Sequence, residues 1–173
     1  MSEQAAEPNA AESPSLKEEQ ELVAALTAKF PFLEGQTLVQ RARRVWITVP
    51  LAEFRAVFAH AHQALDFTML CTITGTDEGA ELGLIYHLAR DSGLVLNLTV
   101  LTPKDGPGPK TVIEYFPNAE LYEREVTDLL GVQIQDLPPG NRYPLPEDWP
   151  PGQYPLRKDW SAGTKEEQPN DGN

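Results

Sequence analysis

The stretch FTMLCTITGTDEGAELGLIYHLARDSGLVLNLTVL, residues 67–101, decides the fold. It divides into three runs rich in Leu, Ile, Val and Thr, at 67–76, 82–90 and 94–101. Thr76-Asp77-Glu78-Gly79 and Asp91-Ser92-Gly93 separate them, and such residues supply the backbone bends of tight turns. Turns this short join antiparallel neighbours, because a parallel return needs a crossover of a dozen or more residues. Cys71, between Leu70 and Thr72, reads as a small apolar side chain buried in the first strand.

Upstream, TLVQRARRVWITV at 37–49 supplies one or two further strands. Pro50 takes an N1-type position for a helix in which Leu51, Phe54, Val57, Phe58, Ala61 and Leu65 recur at helical spacing. Earlier still, Ser15 and Glu18 have capping-box spacing, and Leu22, Val23, Leu26 and Phe30 line one side of a helix ending near Pro31. The elements add up to an α+β domain, an antiparallel sheet with helices packed on one face, followed by an extended Pro-rich C-terminal arm. The expected boundaries are a disordered acidic tail at 1–14, the domain at 15–135, the arm at 136–160 and a flexible tail at 161–173. The loop 103–110, with two glycines and a lysine among prolines, lacks P-loop spacing and reads as a flexible linker.

The 173 residues carry a net charge of −12, unevenly distributed. Residues 1–21 hold six glutamates against Lys17, so much of the acidity lies where it favours solvation. Phosphate neutralisation needs clustered Lys and Arg, so nucleic acid is disfavoured as a partner. The one tight basic cluster, Arg41, Arg43 and Arg44, reads as a solvated strand edge or a protein contact. A lone cysteine excludes an internal disulfide and any cluster held by several thiolates of this chain. His60 and His62 lie two apart on a helix and point to different sides, and no zinc spacing occurs. No segment approaches the roughly 20 apolar residues of a membrane span, and the first residues show no signal-peptide pattern. The chain therefore reads as cytosolic, with any membrane attachment made through partners.

Two segments carry the functional signal. AELYEREVTDLLG, 119–131, is a charged helix that Gly131 stops. Arg124 stands four residues from both Glu120 and Asp128, so its guanidinium is expected to reach carboxylates on either side. Three uses remain open for Glu123, Arg124, Glu125 and Asp128: an exposed ion-paired helix, an interface network, or acid–base catalysis. No nucleophile, metal set or phosphate loop lies nearby in sequence to serve the last. The arm from Asp136 holds seven prolines up to Pro155, which remove amide donors and keep the chain extended. Tyr143, Trp149, Tyr154, Leu156 and Trp160 lie within it, more anchors than a disordered tail would carry. Docking on a partner is the preferred expectation, and packing back on the chain's own sheet is the other.

The run Phe116-Pro117-Asn118-Ala119-Glu120-Leu121-Tyr122 followed by Glu-Arg-Glu-x-x-Asp at 123–128, with Leu-Pro-Glu-Asp-Trp at 145–149 and Tyr-Pro-Leu-Arg-Lys-Asp at 154–159, resembles a known family. That family is the 30-kDa subunit of respiratory complex I, with its relatives in energy-converting membrane-bound NiFe hydrogenases. The resemblance implies an accessory subunit without a catalytic, cofactor or metal site of its own. Its partners would be the large hydrogenase-like subunit and a small Fe–S subunit, which would hold the NiFe and Fe–S centres. It would sit on the cytoplasmic side of a membrane complex. Glu123, Arg124, Glu125, Asp128, Arg142, Trp149, Tyr154, Arg157, Lys158, Asp159 and Trp160 would form the partner-binding surface. Complex I members usually carry aromatics where Thr127 and Leu130 stand, and a Gly-His-Pro where 136–142 reads DLPPGNR. These departures favour the hydrogenase branch, of formate-hydrogenlyase type, over an NADH:quinone oxidoreductase. An independent soluble enzyme using the helix carboxylates is the more remote alternative.

Overall fold

A computed structural model describes residues 16–162, so the acidic tail at 1–14 and most of the C-terminal tail lie outside the described residues. The elements are α1 (Lys17–Lys29), β1 (Thr37–Arg41), β2 (Arg44–Val49), α2 (Phe54–Ala64), β3 (Met69–Asp77), β4 (Glu81–Ala89) and β5 (Val95–Pro103), then β6 (Pro107–Lys110), α3 (Ala119–Leu130) and β7 (Gln133–Gln135). A mixed α/β domain results, with five strands in the order β1-β2-β5-β4-β3. The β3–β4 and β4–β5 hairpins are antiparallel as their turns predict, but β2 and β5 pair in parallel. The sheet is therefore mostly antiparallel. The chain between β2 and β5, which contains α2 and two more strands, is long enough to make that return.

Alternation sets the two faces. Val45, Ile47 and Val49 of β2, Leu84 and Tyr86 of β4, and Leu96 and Leu98 of β5 all point into one core and are at most 2% exposed. Phe54 and Phe58 of α2 pack their rings at 4.8 and 5.5 Å from Tyr86. Val126 and Leu130 of α3 close on Gly75 of β3, where a Cβ would collide with the Leu130 side chain. Leu22 and Leu26 of α1 join the same cluster. Filling the core with large apolar groups contributes about 1.5–3 kcal/mol per buried side chain relative to exposure.

Three local expectations are corrected. Helix α2 starts at Phe54, after a 3-10 turn at Leu51–Glu53 whose N-cap is Pro50, so the proline precedes the helix by one turn. Cys71 is exposed, because a bulge between Leu70 and Thr72 takes it out of the alternation. The expected linker forms β6, paired in parallel with β7. Prolines remove donors but leave carbonyls: Thr102 Oγ1 donates to Pro107 O at 3.0 Å and Gln135 Nε2 to Gly108 O. The expected Ser15 cap falls outside the described residues, and Leu16 at the N-cap of α1 makes no side-chain cap.

Candidate functional site

Helix α3 presents a buried side and an outer side, and its charged residues divide between them. Ala119, Glu123, Val126 and Leu130, spaced at four, three and four residues, are all buried, Glu123 at 0% exposure. Its carboxylate accepts from Thr111 Oγ1 at 2.5 Å and from Val112 N at 2.9 Å, fastening the segment before the helix to the helix itself. Burial pushes this carboxyl above its ordinary range, with the two hydrogen bonds opposing the shift.

Arg124 pairs with Glu120 at 2.8 Å but not with Asp128; its other bond runs to Pro138 O at 2.7 Å. Asp128 takes Arg142 instead, at 3.2 Å, and Arg142 also donates to Trp149 O at 2.8 Å. The two-sided bridge expected of Arg124 is thus shared between two arginines, one supplied by the segment after β7. No second carboxylate converges with Glu123 on a common point, since Thr111 and Val112 surround it.

The arm has turns but no helix or strand, and Arg142, Arg157 and Asp159 bond to the body. Arg157 Nε donates to Leu130 O at 2.6 Å and Nη2 to Lys104 O at 3.1 Å, with the guanidinium 4.4 Å from the Tyr154 ring centroid. Leu156 N donates to Leu129 O. Lys158 N donates to Asp77 Oδ2 at 2.8 Å, and Lys104 Nζ lies 2.9 Å from Asp77 and 3.4 Å from Asp159. The Trp149 and Trp160 rings lie tilted against each other with centroids 6.1 Å apart, bridged by Gln153. Two glycines make the fit possible. A Cβ on Gly131, at φ 76°, would meet the Tyr154 ring at 2.5 Å, and one on Gly140 would run into the Arg124 guanidinium.

Asp77 is the electrostatic centre of this latch. Lys104 first, then the amides of Lys158 and Gly79, hold its carboxyl far below the ordinary value of 3.8. An acid with a depressed folded value stabilises above its unfolded value and loses that stabilisation as pH falls below it. The latch is therefore intact at neutral pH and weakens only below about pH 4. Asp77→Asn removes the charge at every pH. Tryptic cleavage beside Arg157 and Lys158 in this variant is expected to accelerate several-fold at pH 7, and an unchanged rate would rule the latch out.

Two large apolar side chains remain exposed on this side. Leu156 is 56% and Leu121 46% exposed, and Leu156 borders a cavity of about 250 Å³ with Glu125, Leu129 and Thr74. A larger cavity, about 550 Å³, lies elsewhere, between Phe32, Val49, Leu51 and Pro103. Among the described residues no group of three His, Cys, Asp or Glu side chains is placed to hold a metal.

Residues 47–166 match the family model for the respiratory-chain NADH dehydrogenase 30 Kd subunit. A subunit of the F(420)H(2) dehydrogenase of Methanosarcina mazei is 31% identical over 136 residues, 75% of this chain and 86% of that one. The membrane-bound hydrogenase subunit beta of Pyrococcus furiosus is 28% identical over 113 residues, 63% of this chain and 65% of its own. The C/D protein of an NADH-quinone oxidoreductase of Rhodopseudomonas palustris is 28% identical over 142 residues, 75% of this chain and 24% of its own length. The chain thus spans less than two thirds of the hydrogenase protein and about a quarter of the C/D protein. In the structure of a membrane-bound sulfane sulfur reductase, an archaeal respiratory membrane complex, one chain superposes with a TM-score of 0.74 at 29% identity. That superposition covers 84% of this chain and 86% of the other.

Proposed function

The chain belongs to the 30-kDa subunit family of respiratory-chain NADH dehydrogenase, and from that premise we propose that it is a non-catalytic accessory subunit of a complex I-like membrane oxidoreductase. Its α3–arm side docks on the large hydrogenase-like subunit. The observation that carries this reading is the preassembled arm. Arg142, Arg157 and Asp159 are bonded to the chain's own body, while Leu156 is left in solvent beside the groove at Glu125 and Leu129, and Leu121 lies exposed on the same helix. An apolar surface held rigid in advance loses little entropy on docking. The joint name of the C/D relative is consistent with a large neighbouring subunit.

Among the described residues no helix is long and apolar enough to cross a membrane. In this reading attachment runs through partner subunits, on the cytoplasmic side. NiFe and Fe–S centres belong to the large and small partners in this reading. The missing Gly-His-Pro at 136–142 favours the hydrogenase branch over a quinone-reducing one. Nickel in the purified complex is the expected result, and its absence with a quinone-linked activity would reverse that assignment.

Leu156→Asp tests the docking. Leu156 is exposed, so the isolated chain is expected to melt within about 1 °C of wild type, surface changes usually costing less than about 0.5 kcal/mol. Recovery of the large subunit on a tagged chain is expected to fall at least about tenfold, the scale of an interface anchor. Full recovery would sink the docking claim.

A further inference from the structure

The helices pack on one face of the sheet, and the opposite face forms a continuous surface. Strand register places Leu38, Trp46, Asn97, His87 and Thr72 in one row across all five strands. Arg41, Arg44, Val95, Ala89 and Met69 form the next row. Thr48, Thr99, Ile85 and Thr74 lie on the other side of the first. The edges of this face are apolar and bare: Leu38 is 59% and Met69 60% exposed.

The polar groups in the middle are satisfied internally. Asn97 Nδ2 donates to Val45 O at 3.0 Å, which leaves its Oδ1 to accept from His87 Nδ1 at 2.7 Å. Thr74 Oγ1 lies 3.0 Å from His87 Nε2, and the Trp46 indole donates to Gln40. The exception is Arg44, whose Nε is shielded from solvent and finds no hydrogen-bond partner among the described residues. In a chain of net charge −12, these three rows contain no aspartate or glutamate. A shielded Nε–H without an acceptor is costly, so a carboxylate is the group this face lacks.

We infer that this bare face is a second protein-docking surface, taking an apolar segment of another subunit that brings a carboxylate to Arg44. The charge pattern selects that occupant. A second copy of the chain would set the same acid-free patch against itself and give Arg44 no counter-charge. A lipid surface is recognised by clusters of four or more Lys and Arg, and these rows hold two, Arg41 and Arg44, in a chain of net charge −12. The inference rests on the chain's being one subunit of a larger complex, and it adds a contact on the side of the sheet away from α3 and the arm.

The test is carbodiimide coupling in the assembled complex carrying Arg44→Lys, which places an amine where the guanidinium stood. The expected result is a zero-length crosslink from position 44 to a carboxylate of another subunit. Arg44→Glu is expected to lower recovery of that subunit about tenfold while the isolated chain melts as wild type, because the Arg44 Nε has no internal bond to lose. A complex that assembles fully with Arg44→Glu overturns the inference. So does a crosslink to a second copy, no crosslink at all, or flotation of the wild-type chain with anionic vesicles that Arg44→Glu abolishes. Leu156→Asp separates the two readings. If it blocks assembly while Arg44→Glu does not, the α3–arm docking stands and the second surface falls.

Discussion

Glu123→Ala is expected to destabilise the chain by about 3–7 kcal/mol. The change removes the acceptor for Thr111 Oγ1 and Val112 N inside a site closed to solvent. Each orphaned group costs about 1–3 kcal/mol, and the lost methylene adds about 0.8 kcal/mol. For a chain of this size that is a fall of roughly 10 °C in melting temperature, out of a total stability of about 5–15 kcal/mol. Glu123→Gln keeps the shape: its amide oxygen accepts from Val112 N and its NH₂ donates to Thr111 Oγ1, so the loss is expected to be about 1 kcal/mol.

The pH dependence separates the two variants further. Burial raises the folded value of Glu123 above the ordinary 4.5. An acid with a raised folded value contributes stability that is complete below its unfolded value and is lost as pH rises through the folded one. Asp77 contributes in the opposite direction at lower pH. Glu123→Gln is therefore expected to flatten the stability profile above about pH 4.5 and to leave the acid limb unchanged. Denaturant titrations at intervals between about pH 3 and pH 8 read both limbs. A variant profile parallel to wild type would show that Glu123 stays charged in the fold.

Gly131→Ala is expected to release the arm while leaving the domain folded. Gly131 has φ 76°, where a side chain costs about 1–2 kcal/mol before any contact is considered. Its Cβ would also stand 2.5 Å from the Tyr154 ring and 2.7 Å from Arg157 Nη2. Those two side chains have to move away, and with them goes the bond from Arg157 to Leu130 O. The expected results are a melting temperature lower by about 2–6 °C, rapid tryptic cleavage at Arg157 and Lys158, and loss of the large subunit on co-purification. An arm that stays protected would mean that it is held by contacts other than this cradle.

Much of the fold was legible in the sequence. The three runs at 67–101 and their short turns are two antiparallel hairpins, and the family motif at 116–159 is confirmed by the match at 47–166. The parallel β2–β5 pairing was not, because it joins strands far apart in sequence whose register is set by packing and by no turn. Glu123 was legible in principle. It shares core spacing with Ala119, Val126 and Leu130, but flanking charges at Arg124 and Glu125 make the segment read as a solvated face. Arg142 as the partner of Asp128 was hidden by the prolines around it, which make 136–144 read as a spacer. The arm's return onto its own body depends on space above Gly131 and Gly140, and no local pattern states that space.

Hydrogen exchange measured on the intact complex and on the isolated chain tests the docking most directly. Purified through a tag on this chain, the complex is expected to contain one large hydrogenase-like subunit per copy. Amides of Ala119–Leu130 and 154–160 are expected to exchange at least about tenfold more slowly in it than in the isolated chain. Equal exchange in the two states, or a chain recovered without that subunit, would contradict the account.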